Sequence, residues 1–395
     1  MIEWKEHKLG ELAEVVKETY NPDGSDNFRY IGLEHIEQET LRLNSFGFSS
    51  DVTSNKFKFK NGDILFGKLR PYFRKVVITK FHGICSTDIW VIRAKEDVVQ
   101  NFLFYFLTNW DFINLANNSN IGTRMPRADW SFLKDTDWLI PSYEEQKAIA
   151  SVLSSLDNKI DLLHRQNQTL EAMAETLFRQ WFIEEAEENW EKGKLGDYMT
   201  IKHGYAFKGD FITPEETDKI LVTPGNFKVG GGFSFHKFKY YTDNGFPESY
   251  ILNEGDFIVT MTDLSVSNDS LGYPAFVPAI ADKFLLHNQR VGKVLIKKGD
   301  ESKSLFLYYL MKTSDYRHYI LGSCTGTNVS HTSPSIICEY EFNVPDASKI
   351  ISFKNQVQSL QVKQQSNIRQ IQTLTQLRDT LLPKLMSGEV RVSEK

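Results

Sequence analysis

The sequence predicts a duplicated protein of the mixed α/β (α+β) class. Two globular domains are each followed by one long helix, and the two helices pair as an antiparallel coiled coil. Three observations predict this. Short motifs recur in the same order in the two halves of the 395-residue chain. Each half opens with short apolar runs, glycines and turn signals. Each then closes in about 40 residues of heptad spacing.

The repeat sets the domain boundaries. Trp4-x3-Lys8-Leu9-Gly10-Glu11 returns as Trp190-x3-Lys194-Leu195-Gly196-Asp197, 186 residues later. Gly62-Asp63-Ile64 returns as Gly255-Asp256-Phe257, and Leu103–Leu107 as Phe306–Leu310. Gly122-Thr123-Arg124-Met125 returns as Gly326-Thr327-Asn328-Val329, and Ile140-Pro141 as Val344-Pro345, both at an offset of 204. The growing offset places insertions in the first two-thirds of the second copy. The expected organisation is a first globular domain over 1–142, a helix over 143–189, a second domain over 190–345, and a second helix with tail over 346–395.

Within the domains, the Asn61-Gly62-Asp63 and Asn253–Asp256 turns lead into strands at 64–66 and 257–260. Residues 76–79, 89–92 and 291–296 also read as strands. Residues 102–117 and 305–321 carry helical spacing. The first long helix has a proline stop at Pro141, an N-cap at Ser142 and a capping-box glutamate at Glu145. Its seam is Ile149, Leu153, Leu156, Ile160, Leu163, Asn167, Leu170, Ala174, Leu177 and Trp181. The second seam, 204 residues on, is Phe353, Val357, Leu360, Gln364, Asn367, Ile371, Leu374, Arg378, Leu381 and Leu385, with Pro383 and Gly388 where the helix should stop. Residues 143–189 hold four Lys/Arg against ten Asp/Glu, and residues 346–395 eight against four. Opposite charge and shared heptads predict pairing. Aligned antiparallel, Asn167 either faces Asn367 in the seam or both lie on a solvated edge.

Composition excludes several classes. With 41% hydrophobic and 25% charged residues, the chain is neither disordered nor fibrous. Cys85, Cys324 and Cys338 form no C-x-x-C pair and read as small buried thiols, not as a disulfide or zinc framework. No apolar run is long enough to span a membrane, and the charged N-terminus has no signal segment, so a cytoplasmic protein is expected. Catalytic and metal-binding residues are expected to be none. There is no phosphate loop and no dinucleotide fingerprint, Gly230–Gly232 reading as a flexible turn. The Asn-Pro-Pro-aromatic tetrapeptide of amino-methyltransferases is absent. So is the common nuclease signature, and His35-x-Glu37 has no P-C-x-x-C partner. The net charge of −5 belongs mostly to the first long helix, leaving both domains close to neutral.

Binding candidates come from basic and polar stretches. Lys56, Lys58, Lys60, Lys68, Arg70, Arg74 and Lys75 lie within twenty residues, interleaved with aromatics, and strand alternation would set lysines on one face of 56–60. Lys228, Lys237 and Lys239 occupy a similar aromatic-rich stretch. Such faces suit DNA phosphates, and equally suit a solvated face over a core. Asn288, Gln289 and Arg290 carry groups suited to base edges, as does the loop 265–270. Thr123 and Arg124, with Thr327 in the second copy, sit at one repeated position. That position is either a tight turn or a phosphate contact.

Two variable domains alternating with two long helices, with Trp-x3-Lys-Leu-Gly opening each half, resemble the specificity subunit of Type I restriction–modification enzymes over essentially the whole chain. The most specific elements are Pro141–Gln146, Leu177–Phe182 ending the first helix, and Leu381–Glu389 ending the second. One departure is the start of the second helix, Pro345-Asp346-Ala347-Ser348-Lys349, which lacks the Glu-Gln pair and so should have a weaker or irregular first turn. The resemblance implies that each domain is a target recognition domain reading one half of a split double-stranded DNA sequence. It implies a coiled-coil spacer that docks two modification (methyltransferase) subunits, with restriction (motor–nuclease) subunits joining them. It also implies that S-adenosylmethionine, ATP and Mg belong to those partners, and that this chain binds no cofactor and breaks no bond. Two other readings are a coiled-coil scaffold displaying protein-binding domains, and a methyltransferase or nuclease with unrecognised motifs.

Overall fold

The computed structural model describes residues 4–24, 26–119, 125–236, 238–263, 270–325 and 330–392. The chain forms two compact units: Met1–Ile160 with Leu374–Lys395, and Asp161–Thr373. Each unit holds one α/β domain and one segment of each long helix.

In the first unit, an antiparallel sheet orders Ala13–Val16, Ile89–Ala94, Ile64–Gly67 and Val76–Ile78. A five-stranded sheet orders Thr19–Tyr20, Lys56–Phe59, Gly83–Cys85, Arg29–Ile31 and Gly47–Phe48, with Arg29–Ile31 and Gly83–Cys85 parallel. The core between sheet and helices includes Phe66 stacked on Trp90, with Leu103, Phe106 and Phe112.

The second unit repeats this plan. One sheet orders Met199–His203, Val291–Ile296, Phe257–Thr260 and Pro274–Phe276. The other orders Ile212–Thr213, Lys239–Tyr241, Lys219–Val222, Phe284–His287 and Ile251–Leu252, and again contains one parallel pair, Lys219–Val222 with Phe284–His287.

The Trp-x3-Lys-Leu-Gly motif closes each domain. Lys5–Lys8 pairs antiparallel with Asp137–Ile140, and Lys192–Lys194 with Glu341–Asn343. The glycine is needed because another backbone crosses there. A Cβ on Gly10 would lie 3.0 Å from the Lys134 carbonyl oxygen, and one on Gly196 3.1 Å from that of Cys338.

Several elements differ from expectation. The stretch 102–117 is two helices, Gln100–Thr108 and Trp110–Asn118, broken at extended Asn109. Buried Arg74 donates from Nε to the Thr108 carbonyl at 2.7 Å, satisfying a helix end where a cation is favoured. The stretch 305–321 likewise divides into Ser304–Leu310 and Ser314–Ser323, the second capped by the Thr313 hydroxyl. Of the three thiols, Cys85 alone is buried; Cys324 and Cys338 are half-buried.

The first long helix runs Tyr143–Arg179 and ends in a π turn, Gln180–Glu184, short of residue 189. Glu184, Glu185, Glu187 and Glu188 crowd the end at which the helix dipole disfavours negative charge. The second helix, Ala347–Met386, begins regularly despite lacking Glu-Gln. The Lys349 and Ile350 N–H groups both donate to the Asp346 carbonyl, at 3.0 and 3.1 Å. It also passes through Pro383 for three further residues.

The helix segments pair antiparallel within each unit. In the first, Ile149 and Leu153 share a core with Leu382 and Leu385, and Arg378 bonds Asp157 at 2.9 Å. In the second, Ala174, Phe178 and Phe182 pack with Ile350, Phe353 and Val357. Leu153, Ile160, Leu163 and Val357 are buried in the seam, while Leu156, Leu170, Leu177, Leu360, Ile371, Leu374 and Leu381 are half-buried. Fully buried Asn367 donates from Nδ2 to Asn167 Oδ1 and Gln166 Oε1, both at 2.8 Å. The asparagines therefore face each other in the seam, a polar pairing that disfavours other registers.

Charge pairing between the helices is sparser than their opposite balances suggest. Glu171 and Glu175 are held instead by Lys312 of the second domain, and Arg369 by Glu254.

Candidate nucleic-acid interface

One backbone crossing recurs in both domains and gathers residues from three distant segments. In the first domain the Lys68 N–H donates to the Asp88 carbonyl at 3.0 Å, and the Lys68 carbonyl accepts from the Ala128 N–H at 2.8 Å. In the second, the Met261 N–H donates to the Arg290 carbonyl at 3.0 Å, and the Met261 carbonyl accepts from the Thr332 N–H at 3.0 Å. An antiparallel contact flanks each crossing: a single bridge, Leu69 with Arg127, and a two-residue ladder, Thr262–Asp263 with Ser330–His331. The two crossings thus coincide residue for residue, while their side chains differ.

The first crossing is cationic. Lys68 and Arg127 flank it, and Arg127 Nε lies 3.4 Å from Asp88 Oδ1. Arg70 follows in a left-handed conformation, φ 52°, its N–H donating to the Pro126 carbonyl at 2.8 Å. Its Nε is buried with no hydrogen-bond partner among the described residues. The second crossing has a different chemistry. His331 Nδ1 lies 3.1 Å from the Thr262 hydroxyl, and Asp263 accepts from the N–H and hydroxyl of Ser270. Gln289 and Arg290 expose their side chains at the adjoining turn.

The structure divides the sequence-predicted residues. It brings together Lys68 and Arg70 in one domain, and Gln289 and Arg290 in the other. Asn288 shares that turn, but it is buried and its Oδ1 accepts from the Arg290 N–H at 3.1 Å, so the amide shapes the turn. Thr123, Arg124, Lys237 and Thr327 lie outside the described residues, as do 264–269.

The expected lysine face over 56–60 does not form as a row. Lys56 is buried, and its ammonium donates to the Ser54 carbonyl and hydroxyl at 2.7 Å; burial pulls its pKa below the usual lysine value. Lys58 lies 3.6 Å from Glu18, leaving Lys60 exposed beyond it. Arg74 is the internal helix cap described above, its pKa lowered chiefly by burial. Lys228 and Lys239 are exposed. Arg127 and His331 were missed by the sequence reading. Their one signal is position, three residues after the repeated Gly-Thr-Arg and Gly-Thr-Asn.

Among the described residues, no cluster of three His, Cys, Asp or Glu side chains could hold a metal, and no helix is long and apolar enough to cross a membrane.

A family described as the Type I restriction modification DNA specificity domain matches residues 1–172 and again 187–381. The Type I restriction enzyme HindI specificity subunit of Haemophilus influenzae is 24% identical, the match covering 99% of this chain and 100% of that one. The MjaIX specificity subunit of Methanocaldococcus jannaschii is 27% identical, over 85% of this chain and 79% of the relative. A crystal structure of the S subunit of a Type I restriction–modification system from M. genitalium shares the fold. Its TM-score is 0.54 at 16% identity, with 100% of this chain and 97% of that one covered.

Proposed function

We propose, from the premise that this chain belongs to the Type I restriction modification DNA specificity family, that its two domains read the two halves of a bipartite DNA target. The chain is the non-catalytic recognition subunit of its system, and selection is its work. One observation carries the bipartite reading: the same three-segment crossing is built twice with different side chains. A common backbone frame presents Lys68, Arg70 and Arg127 in one copy, and Gln289, Arg290 and His331 in the other. Phosphate contacts position such a frame, and base-edge contacts discriminate, each good bidentate pair being worth about 1–3 kcal/mol.

In this reading the paired helices set the gap between half-sites and dock two modification subunits. Those subunits supply S-adenosylmethionine and the methyl-transfer site, and the motor–nuclease subunits supply ATP and Mg chemistry. Long-read methylation calling tests the proposal, in a host carrying this chain with its partner subunits. The expected motif is two unlike half-sequences separated by a fixed run of unspecified bases. A single contiguous motif overturns it.

A further inference from the structure

We propose that the first domain holds a DNA backbone phosphate in a cationic cleft that the second domain lacks, so that the two recognition domains divide anchoring and reading unequally. The inference rests on the DNA-specificity reading and deepens it.

The cleft has a volume of about 390 Å³ and lies beside the crossing described above. Lys17, Lys68, Arg127 and Lys134 line it, together with Trp90 and Trp130. Those rings meet edge to face at 5.7 Å. Asp129 is the carboxylate on the wall, and it is committed to capping Trp130–Leu133, accepting from the Ser131 N–H at 2.9 Å and hydroxyl at 2.6 Å. Asp88 lies 3.4 Å from Arg127. Several cations over an apolar floor suit a phosphodiester. Charge-assisted hydrogen bonds strengthen where aromatic carbon displaces water, and indole gives the sugar a face.

The repeat supplies the control, because each cation and indole of the cleft has a counterpart fixed by the crossing, by strand register or by position in the fold. The crossing equates Lys68 with Met261, and Arg127 with His331. The close approach to Gly10 and Gly196 equates Lys134 with Cys338. Lys17 and Trp90 follow the Val16–Val91 strand pair as His203 and Gly292 follow Lys202–Lys293. Trp130, first in its short helix, corresponds to Pro334. Four cations and two indoles thus become two histidines, a methionine, a cysteine, a glycine and a proline. The second copy of the frame therefore carries neither Lys nor Arg at the four cationic positions of the first.

The test uses the full chain assembled with its modification subunits. Binding is measured as a function of salt to the cognate duplex, and to one with the first half-site scrambled. Lys17 and Lys134 are exposed, so the Lys17→Ala/Lys134→Ala variant should fold, which a melting curve checks. Losing one neutralised phosphate should shallow the slope of log K against log salt by about 0.9. Affinity should fall on the order of tenfold on both duplexes, because a phosphate contact carries no sequence information. Lys17→Arg/Lys134→Arg should keep the slope, and His203→Ala in the second domain should leave it unchanged. An unchanged slope in the folded alanine variant overturns the proposal, as does a loss confined to the cognate duplex. A wild-type complex that binds neither duplex instead overturns the DNA-specificity reading itself.

Discussion

His287 makes the stability of the second domain depend on pH. It is buried in the strand Phe284–His287 and donates from Nε2 to the Val291 carbonyl at 2.8 Å. Burial, with smaller contributions from Lys293 and Lys202, lowers its pKa from 6.5 to about 4. The unfolded chain therefore binds a proton that the folded domain refuses. The stabilisation is complete above pH 6.5 and is lost as pH falls from there toward 4, by up to about 3 kcal/mol. Hydrogen-exchange protection factors of this strand, corrected for the intrinsic pH dependence of amide exchange, should fall across that window in the wild type and not in His287→Gln; a flat wild-type protection profile refutes it. The counterpart in the first domain is Cys85, whose thiol burial pushes up and away from this range. At this scale the sequence was least readable. Runs of charge cannot tell Lys56 and Arg74, which turn inward to cap backbone carbonyls, from Lys60, which does not. The cleft residues Lys17, Lys68, Trp90, Arg127 and Lys134 fall in no common window, because the sheet and the domain-closing strand pair assemble them.

Helix ends show a symmetry with inverted charge. Glu145 was expected to close a capping box, and the Ser142 hydroxyl does accept from its N–H at 3.3 Å. Its carboxylate, however, accepts from the Trp4 indole at 3.2 Å and from Arg391 Nη2 at 2.7 Å. The equivalent position in the second copy is Lys349, whose ammonium lies 4.9 Å from the Trp190 ring and 3.9 Å from Glu187. Glu187 and Arg391 are themselves 204 residues apart, so the pair Glu145–Arg391 returns as Lys349–Glu187 with both charges exchanged. Each copy's helix start thereby attracts the tail of the other copy and repels its own, which favours joining unlike halves. Arg391→Glu should destabilise the first unit by about 1 kcal/mol, and adding Glu145→Lys should recover most of it by placing a cation over Trp4. A double-mutant cycle on denaturation midpoints that finds no coupling removes the argument. Elements were well read where periodicity decided them: the strands at 64, 76, 89, 257 and 291, and both seams. Breaks such as Asn109 escaped because they depend on Arg74, a tertiary partner invisible to local spacing.

For the whole molecule, the gap-setting role proposed for the helices would make helix length a determinant of sequence specificity. The boundary between the compact units falls at Ile160 in the first helix and between Thr373 and Leu374 in the second. Seven residues inserted after Ile160 and seven before Leu374 lengthen both helices while preserving heptad phase. The added rise is about 10 Å at 1.5 Å per residue, with a residual rotation of about 20°. Neither recognition frame is touched, since the crossings at Lys68 and Met261 lie within separate units. Both half-sequences should therefore survive in the methylated motif, while the unspecified run between them lengthens by about three base pairs at 3.4 Å each. Four residues in each helix instead should leave the two stretches of seam about 40° out of phase across the insertion and weaken methylation altogether. Methylome sequencing of the two insertion variants beside the wild type separates these outcomes. An unchanged gap in the seven-residue variant would show that the helices hold the modification subunits without measuring DNA.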